Sequence, residues 1–480
     1  MRFPRFYTSL LYMSSSENDR ESIFHWLAKN PNAHKDAELR KQFADKLEMA
    51  QRVDDENIDL LTKIGSEIFG IDTSNLQPTT ATTTTVEARI MASAVPDEEE
   101  SKASDSQPVV CDFDFMAEFM KDVFVSYGVS EGRAAVCADV LVESDRRGID
   151  SHGIGRLKPI YCDRMDAGIL KPDMPIDVVK ETDTTALLDG NLGIGLYIGP
   201  YCMQMAIDKA KKHGVGFVVV RNSTHYGIAG YYATMATQQG CIGWTGTNAR
   251  PSIAPTFGIE PMLGTNPLCF GIPTDEPFDF VIDCATSINQ RGKIELYARN
   301  RMKTPQGVVI DQNGIERTDT DAILQELVQG TCALNPVGGA GEKTAGYKGY
   351  SWATVVELLS TAFQSGPFGE DVCGVDRKTG KKKPMPLGHY FLAIDIESLC
   401  PEKEFRENAG RLLRALRESR KSPIGPGRIW TAGEKEYEAQ LERETQGGII
   451  LTKALQNQMI ELRDKRPDLK HKYEKFPWEA

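Results

Sequence analysis

The run VGFVVVR, Val215 to Arg221, limits most what this chain can fold into. It follows directly on a helical stretch that ends at His213 and Gly214. It is too short for a stable helix and too continuously apolar for a strand with one wet face. It reads as a strand buried on both faces. Such a strand needs helices on both sides of its sheet, which predicts an α/β architecture. The same texture, helical and strand-like segments punctuated by Gly and Pro, runs from about Pro108 onward. Further strands are expected at Leu268 to Ile272, Phe280 to Ile282 and Tyr390 to Ile394. Ser130 can cap a helix that carries Val136, Val140 and Leu141 at helical spacing and stops at Gly148.

The 480 residues exceed what one such domain needs. Residues 1–72 are polar and helix-forming, with sparse apolar positions such as Leu47, Val53, Leu60, Leu61 and Ile64, and read as a helical appendage. Residues 73–107 hold Pro78, the Thr82 to Thr85 run, Pro96 and the acidic cluster Asp97 to Glu100, and have too little apolar area to fold. They read as a disordered linker. Residues 108–440 form the expected functional module, and 441–480 a charged helical tail. Its Leu451, Leu455, Met459 and Leu462 predict packing on the core or on a partner subunit before Pro467 stops the helix.

With 56 basic against 68 acidic side chains the net charge is −12, which argues against nucleic acid or an anionic membrane as partner and leaves a small soluble ligand. No apolar run reaches the roughly 18 residues of a membrane span. The ten cysteines are scattered from Cys111 to Cys400 without a CxxC pair, so no zinc cluster or disulfide framework is indicated. Free thiols in the cytoplasm fit this usage. The first sixteen residues, with Arg2, Arg5 and no acid, also suit a short mitochondrial presequence.

Two glycine-rich stretches fail as nucleotide motifs. GNLGIGLYIG (Gly190 to Gly199) has GxGxxxG in place of GxGxxG. In GGAGEKT (Gly338 to Thr344), Glu342 intrudes before Lys343 and no strand precedes. Both read as turns. The histidines say more. Of seven, His25, His34 and His471 lie in polar appendages, His213 favours a helix C-terminus and His389 opens a strand. His152 and His225 lack such explanations. His225 stands just beyond the 215–221 strand, where ligands gather in α/β sheets. In SHGIGR, His152 and Arg156 are four apart, so a helical turn would aim both to one side. Imidazole can take a hydroxyl proton near neutral pH, and a guanidinium can grip the neighbouring carboxylate, so the pair suits a 2-hydroxy or 2-oxo acid. Alone, SHGxxR is equally a capping histidine beside a surface arginine. A metal on His152, His225 and Asp283 lacks HxH or HExxH spacing, and none is expected.

Five ordered segments resemble the malate/L-lactate dehydrogenase family, which lacks a classical Rossmann fold and includes ureidoglycolate, sulfolactate and diketogulonate enzymes. They are ESDRRGIDSHGIGR (Glu143 to Arg156), NSTHYGIAGYY (Asn222 to Tyr232), GTNPLCFGIP (Gly264 to Pro273), FVIDCAT (Phe280 to Thr286) and GYKGYSWATVVELLS (Gly346 to Ser360). The resemblance implies a mixed-sheet α/β fold and hydride transfer between NAD or NADP and a small 2-hydroxy acid, malate or lactate foremost. It makes His152 and Arg156 substrate residues and His225 a second candidate for proton transfer. For the cofactor it implies Gly227, Asn248, Asp283, Cys284, Ala285, Lys348 and Gly349, with Gly433, Glu434 and Lys435 from AGEKE. It also implies a homodimer. Arg250 would suit a 2′-phosphate, which leaves NAD and NADP both open. The competing reading is a non-catalytic binding or scaffold protein that kept the fold.

Overall fold

The computed structural model describes residues 108–299, 301–376 and 379–479, so the appendage read at 1–72 and the linker at 73–107 lie outside the described residues. After strand β1 (Val109–Cys111), the Asp112 carboxylate accepts the amides of Asp114 and Phe115 and so caps helix α1 (Phe113–Ser126). Helix α2 (Glu131–Arg146) begins after Ser130. That residue holds the cap position but makes no side-chain capping bond, a correction to the expected role. A 3-10 turn (Ile154–Arg156), a π turn (Leu157–Cys162) and the single turn α3 (Asp163–Asp166) then lead to strands β2 (Asp177–Glu181) and β3 (Thr185–Asp189).

Next come α4 (Gly195–His213), β4 (Val215–Ser223), α5 (Ala229–Thr237), β5 (Cys241–Thr247), β6 (Leu268–Ile272) and β7 (Phe280–Cys284). A smaller lobe holds α6 (Arg291–Arg299), β8 (Val309–Asp311), β9 (Glu316–Arg317), α7 (Thr320–Gln329) and β10 (Cys332–Leu334). Its core is built on Ile253, Ile294, Val309, Ile323 and Leu334. The chain closes with α8 (Gly346–Thr361), β11 (Leu387–Asp395), α9 (Glu402–Glu418), α10 (Glu434–Gln446), β12 (Ile449–Leu451), α11 (Lys453–Asp464) and α12 (Pro467–Lys472).

Seven strands form one mixed sheet in the order β2-β3-β4-β11-β5-β6-β7. Only β3 and β4 run parallel; the other neighbours are antiparallel, so the sheet is not the doubly wound parallel sheet of a classical dinucleotide fold. Helices α4 and α5 cover one face, and α8 covers the other through Val356, which joins Val219, Leu268 and Tyr390. Strand β4 is therefore apolar from Val215 to Val220 before its polar end, and β11, at the centre of the sheet, is almost wholly buried.

The stretch GNLGIGLYIG is only half a turn. From Gly195 on it is helix, and that glycine has a packing reason. A side-chain carbon there would stand 2.3 Å from the Thr224 carbonyl oxygen and 2.6 Å from that of His225. The first turn of α4 thus rests directly on the backbone that carries His225.

A boundary at 440/441 would cut α10, and the residues after it belong to the same body. β12 pairs with β1, Val109 opposite Leu451, and Met459, Leu462, Leu469 and Phe476 share one core with Met116, Phe119 and Val123. Phe476 meets Phe119 edge-on at 5.4 Å and stacks on Trp478 at 4.7 Å. Replacing this buried ring, Phe476→Ala, should destabilise the protein by about 3–5 kcal/mol in urea unfolding followed by circular dichroism. Leu399→Ala, at a side chain 81% exposed, should stay within about 0.5 kcal/mol.

Candidate active site

The SHGIGR segment is held by two helices far apart in sequence. At the end of α2, the buried Asp145 carboxylate accepts the Ile154 amide at 2.8 Å, and the Ser144 hydroxyl donates to the Ile149 carbonyl at 2.9 Å. From α10, Arg443 donates to both Asp150 carboxylate oxygens, at 2.5 and 2.8 Å, and to the Asp145 carbonyl at 2.6 Å. Burial pushes the Asp145 carboxyl well above the usual range, with the Ile154 amide opposing. Within the turn, Arg156 Nε donates to the Ser151 carbonyl, and the Ser151 hydroxyl pairs with His152 Nδ1 at 2.8 Å.

His152 meets His225 here. Their rings lie 5.7 Å apart and 18° from parallel. His225 Nδ1 accepts the Gly227 amide at 3.3 Å and lies 2.7 Å from the Tyr161 hydroxyl. A backbone amide can only donate, so the neutral His225 ring carries its proton on Nε2. The Ser151 hydroxyl can donate or accept, so His152 is free to hold its proton on either nitrogen. Among the described residues, Nε2 of neither ring has a protein partner.

Desolvation, followed by the Arg156 charge, brings His152 down to about 4. His225 falls well below its ordinary value, first through burial and then through His152, Arg164, Arg156 and His389. Both rings are neutral at pH 7. His389 is different: it is buried, with Nδ1 at 2.7 Å from Thr247 Oγ1 and Nε2 at 2.7 Å from Ser223 Oγ, and it stacks on Tyr226. It fixes β11 to β4 and β5, as a histidine opening a strand would.

Tyr161 is absent from the sequence reading, and the π turn explains why. Spacing arithmetic for an ordinary helix fails across Leu157–Cys162, where each turn takes in an extra residue.

Most of the residues assigned to a cofactor line one strip. Asp283, exposed at the end of β7, accepts the Gly230 amide at 2.7 Å at the start of α5 and so joins the Asp283–Cys284–Ala285 segment to the Gly227 loop. The next residue, Thr286, accepts the Val337 amide at 2.8 Å. A side-chain carbon at Gly349 would stand 2.3 Å from the Val337 carbonyl oxygen, so glycine lets the start of α8 lie against this loop and brings Lys348 beside it. Lys348 is exposed, and no acid pairs with it among the described residues. Beside the strip, Ser287 Oγ and Asn335 Oδ1 are buried without a partner. An unpaired lysine, small residues that admit close approach, an exposed carboxylate and orphaned polar atoms are a donor set that fits a phosphate-bearing dinucleotide.

Gly433 precedes α10 at the other end of β7, where Val281 donates to Ala432 at 3.4 Å. Lys435 lies over the Trp430 ring at 4.8 Å. Two assigned side chains are engaged inside the protein. Glu434 is buried and accepts from Arg428 and from the Thr431 amide. Asn248 is buried, donates to Glu357 at 3.1 Å and accepts the Gly388 amide at 2.9 Å. Asn266 of GTNP donates to the same Glu357 at 2.7 Å, so one acid on α8 ties two loops together.

A family model described as malate/L-lactate dehydrogenase matches residues 111–460. The chain is 40% identical over 344 residues to a malate dehydrogenase of Pyrococcus horikoshii, covering 72% of this chain and 92% of that protein. It is 37% identical over 341 residues to an L-sulfolactate dehydrogenase of Methanocaldococcus jannaschii, covering 71% and 92%. Among solved structures, a malate dehydrogenase from Entamoeba histolytica superposes with a TM-score of 0.72 at 42% identity, over 75% of this chain and 98% of that one.

The depressed histidines make stability depend on pH in a definite sense. Between about pH 6.5 and 4 the unfolded chain protonates its histidines while folded His152 does not, so stability should fall as pH falls through that window; the His152 contribution levels off below about 4, while that of His225, held lower still, continues. Urea midpoints taken from pH 8 to 4 check this. In nuclear magnetic resonance titrations His152 should titrate near pH 4, and a midpoint near 6.5 would contradict the assigned burial.

Proposed function

The chain belongs to the malate/L-lactate dehydrogenase family and is a hydroxy acid dehydrogenase, and from that premise we propose that it interconverts a small 2-hydroxy acid and its 2-oxo acid with NAD or NADP, malate or lactate foremost. The observation that carries this reading is the meeting of two neutral imidazoles with an arginine whose terminal nitrogens have no acceptor among the described residues. A bound nicotinamide supplies or accepts the hydride.

The chain's own residues do the rest. Arg156 spends only Nε on Ser151, so its outer nitrogens can grip the substrate carboxylate as a fork. His152 is the proton-transfer residue in this reading. Ser151 can accept from Nδ1, which leaves Nε2 bare to take the hydroxyl proton, and a bound anion would raise the pKa of the ring toward neutrality. His225, with Nδ1 committed as an acceptor, offers Nε2–H to the substrate oxygen and orients it. Tyr161 and the Gly227 amide keep that ring in register. Lys348 would neutralise a cofactor phosphate, and Asp283 would accept from a ribose hydroxyl or an amide.

We also propose a homodimer in the cytoplasm. Tyr347, Trp352 and Leu358 on α8, with Phe363 just beyond, form an exposed apolar face that suits a second copy. All ten cysteines are free and only Cys284 is exposed, which suits a reducing compartment.

Nicotinamide absorbance with a panel of 2-oxo acids tests the reading, and lack of turnover with both NADH and NADPH would sink it. Arg156→Lys should mainly raise KM and leave cofactor affinity intact, because an ammonium cannot copy the fork. His152→Ala should lower kcat by ~10²- to 10⁴-fold and remove the pH inflection near neutrality, with a smaller loss for His225→Ala. The reverse order would transfer the proton role to His225.

A further inference from the structure

Two arginines that have no part in the scheme above share one cavity. It has a volume of about 350 Å³ and is lined by the loop between β5 and β6, by the smaller lobe and by residues 373–380. Arg250, after β5, and Arg291, the first residue of α6, supply its charge, and no acidic side chain lines it among the described residues. Arg250 is exposed, and its guanidinium has neither an acid nor a hydrogen-bond acceptor among the described residues. Arg291 holds Glu295 at 2.8 Å in a pair whose members are 46% and 45% exposed. An ion pair so open to water contributes little, so an incoming anion can take this guanidinium over.

The rest of the wall is apolar: Leu327 and Val328 at the end of α7, Leu334 on β10, and Val375. Val328 is 56% exposed, an aliphatic side chain left in water beside the cavity. Val375 closes a loop through its bridge to Lys382; Gly380 of that loop also lines the cavity, and the exposed Lys381 and Lys382 follow it directly. Apolar walls with a few convergent charged groups are the usual form of a small-ligand site. Guanidinium forks without counter-ions select phosphate oxygens, and the aliphatic surface suits a flat ring. A phosphorylated nucleoside satisfies both.

The cavity adjoins both parts of the site. Thr265, on its wall, accepts at its carbonyl the amide and the hydroxyl of Thr286, each at 2.9 Å, and Thr286 directly follows the Asp283–Ala285 segment. A side-chain carbon at Gly292, next to Arg291, would stand 3.8 Å from Arg156 Nη2.

We propose that this cavity binds a phosphorylated nucleoside, with phosphate on Arg250 and Arg291 and the base against Leu327, Val328 and Leu334. The 2′-phosphoadenosine end of NADP and a free nucleotide share that chemistry. The site goes beyond the reaction assigned above, and its occupancy is measurable without turnover.

Isothermal titration calorimetry of the full chain with adenosine 2′,5′-bisphosphate and with ATP, each alone and beside saturating NADPH, tests this. Arg250→Gln and Arg291→Gln, both at exposed positions, and Val328→Asp are the variants. At least one nucleotide should bind, and each arginine substitution should weaken it by ~10- to 10²-fold, the scale of a lost charge-assisted fork. Val328→Asp should weaken it too, by placing a carboxylate beside the phosphate and the base. Displacement by NADPH assigns the cavity to the phosphorylated end of the cofactor, and NADPH affinity should then fall in Arg250→Gln while that of NADH holds. Binding that persists beside saturating NADPH assigns it to a free nucleotide acting as an effector. Binding of neither nucleotide, or affinities unchanged in both arginine variants, would overturn the proposal. Absence of turnover with every 2-oxo acid would overturn the functional reading alone and leave the calorimetric result standing.

Discussion

The buried carboxylate of Asp145 is the constraint from which the geometry of the site follows. A carboxylate removed from water demands donors, and it obtains the Ile154 amide, which pins the turn carrying His152 and Arg156. Arg443 completes the arrangement from α10 by gripping Asp150 and the Asp145 carbonyl. The charged C-terminal region is thereby part of the site's support. Breaking such a buried set on one side leaves a polar group unpaired, which typically costs several kcal/mol, more than any one surface ion pair contributes.

Glu357 plays the same part on the other face of the sheet. Burial raises its pKa, and the amides of Asn266 and Asn248 oppose that rise. Two polar loops that look like ligand-binding segments are in this way locked to α8. The helix also brings Lys348 and Gly349 to the loop at Val337. Precision at the cofactor strip is obtained from an acid that touches no ligand, in the manner of supporting residues around a functional centre.

The electrostatics between these two braces is one-sided. Two imidazoles kept neutral by desolvation sit beside Arg156, whose outer nitrogens have no acceptor among the described residues, and the acids Asp145 and Asp150 are engaged in holding the loops. A site of this kind attracts anions and disfavours its own protonation until one binds. Substrate binding and the availability of a proton carrier are therefore coupled through charge alone.

The sequence by itself determined the elements and the two histidine motifs. VGFVVVR became β4, Leu268 to Ile272 matched β6 residue for residue, and the helix ending at His213 stopped at Gly214. These follow from local periodicity, apolar runs and helix-stop chemistry, which act over a few residues. Only the tertiary structure decided strand order, the free nitrogen on each histidine, and the braces at Asn248 and Glu434. The reason is distance along the chain. Tyr161 reaches His225 across 64 residues, Asn248 reaches Glu357 across 109 and Arg443 reaches Asp150 across 293. Such pairings are fixed by how the layers close over the sheet, and no short-range pattern encodes them.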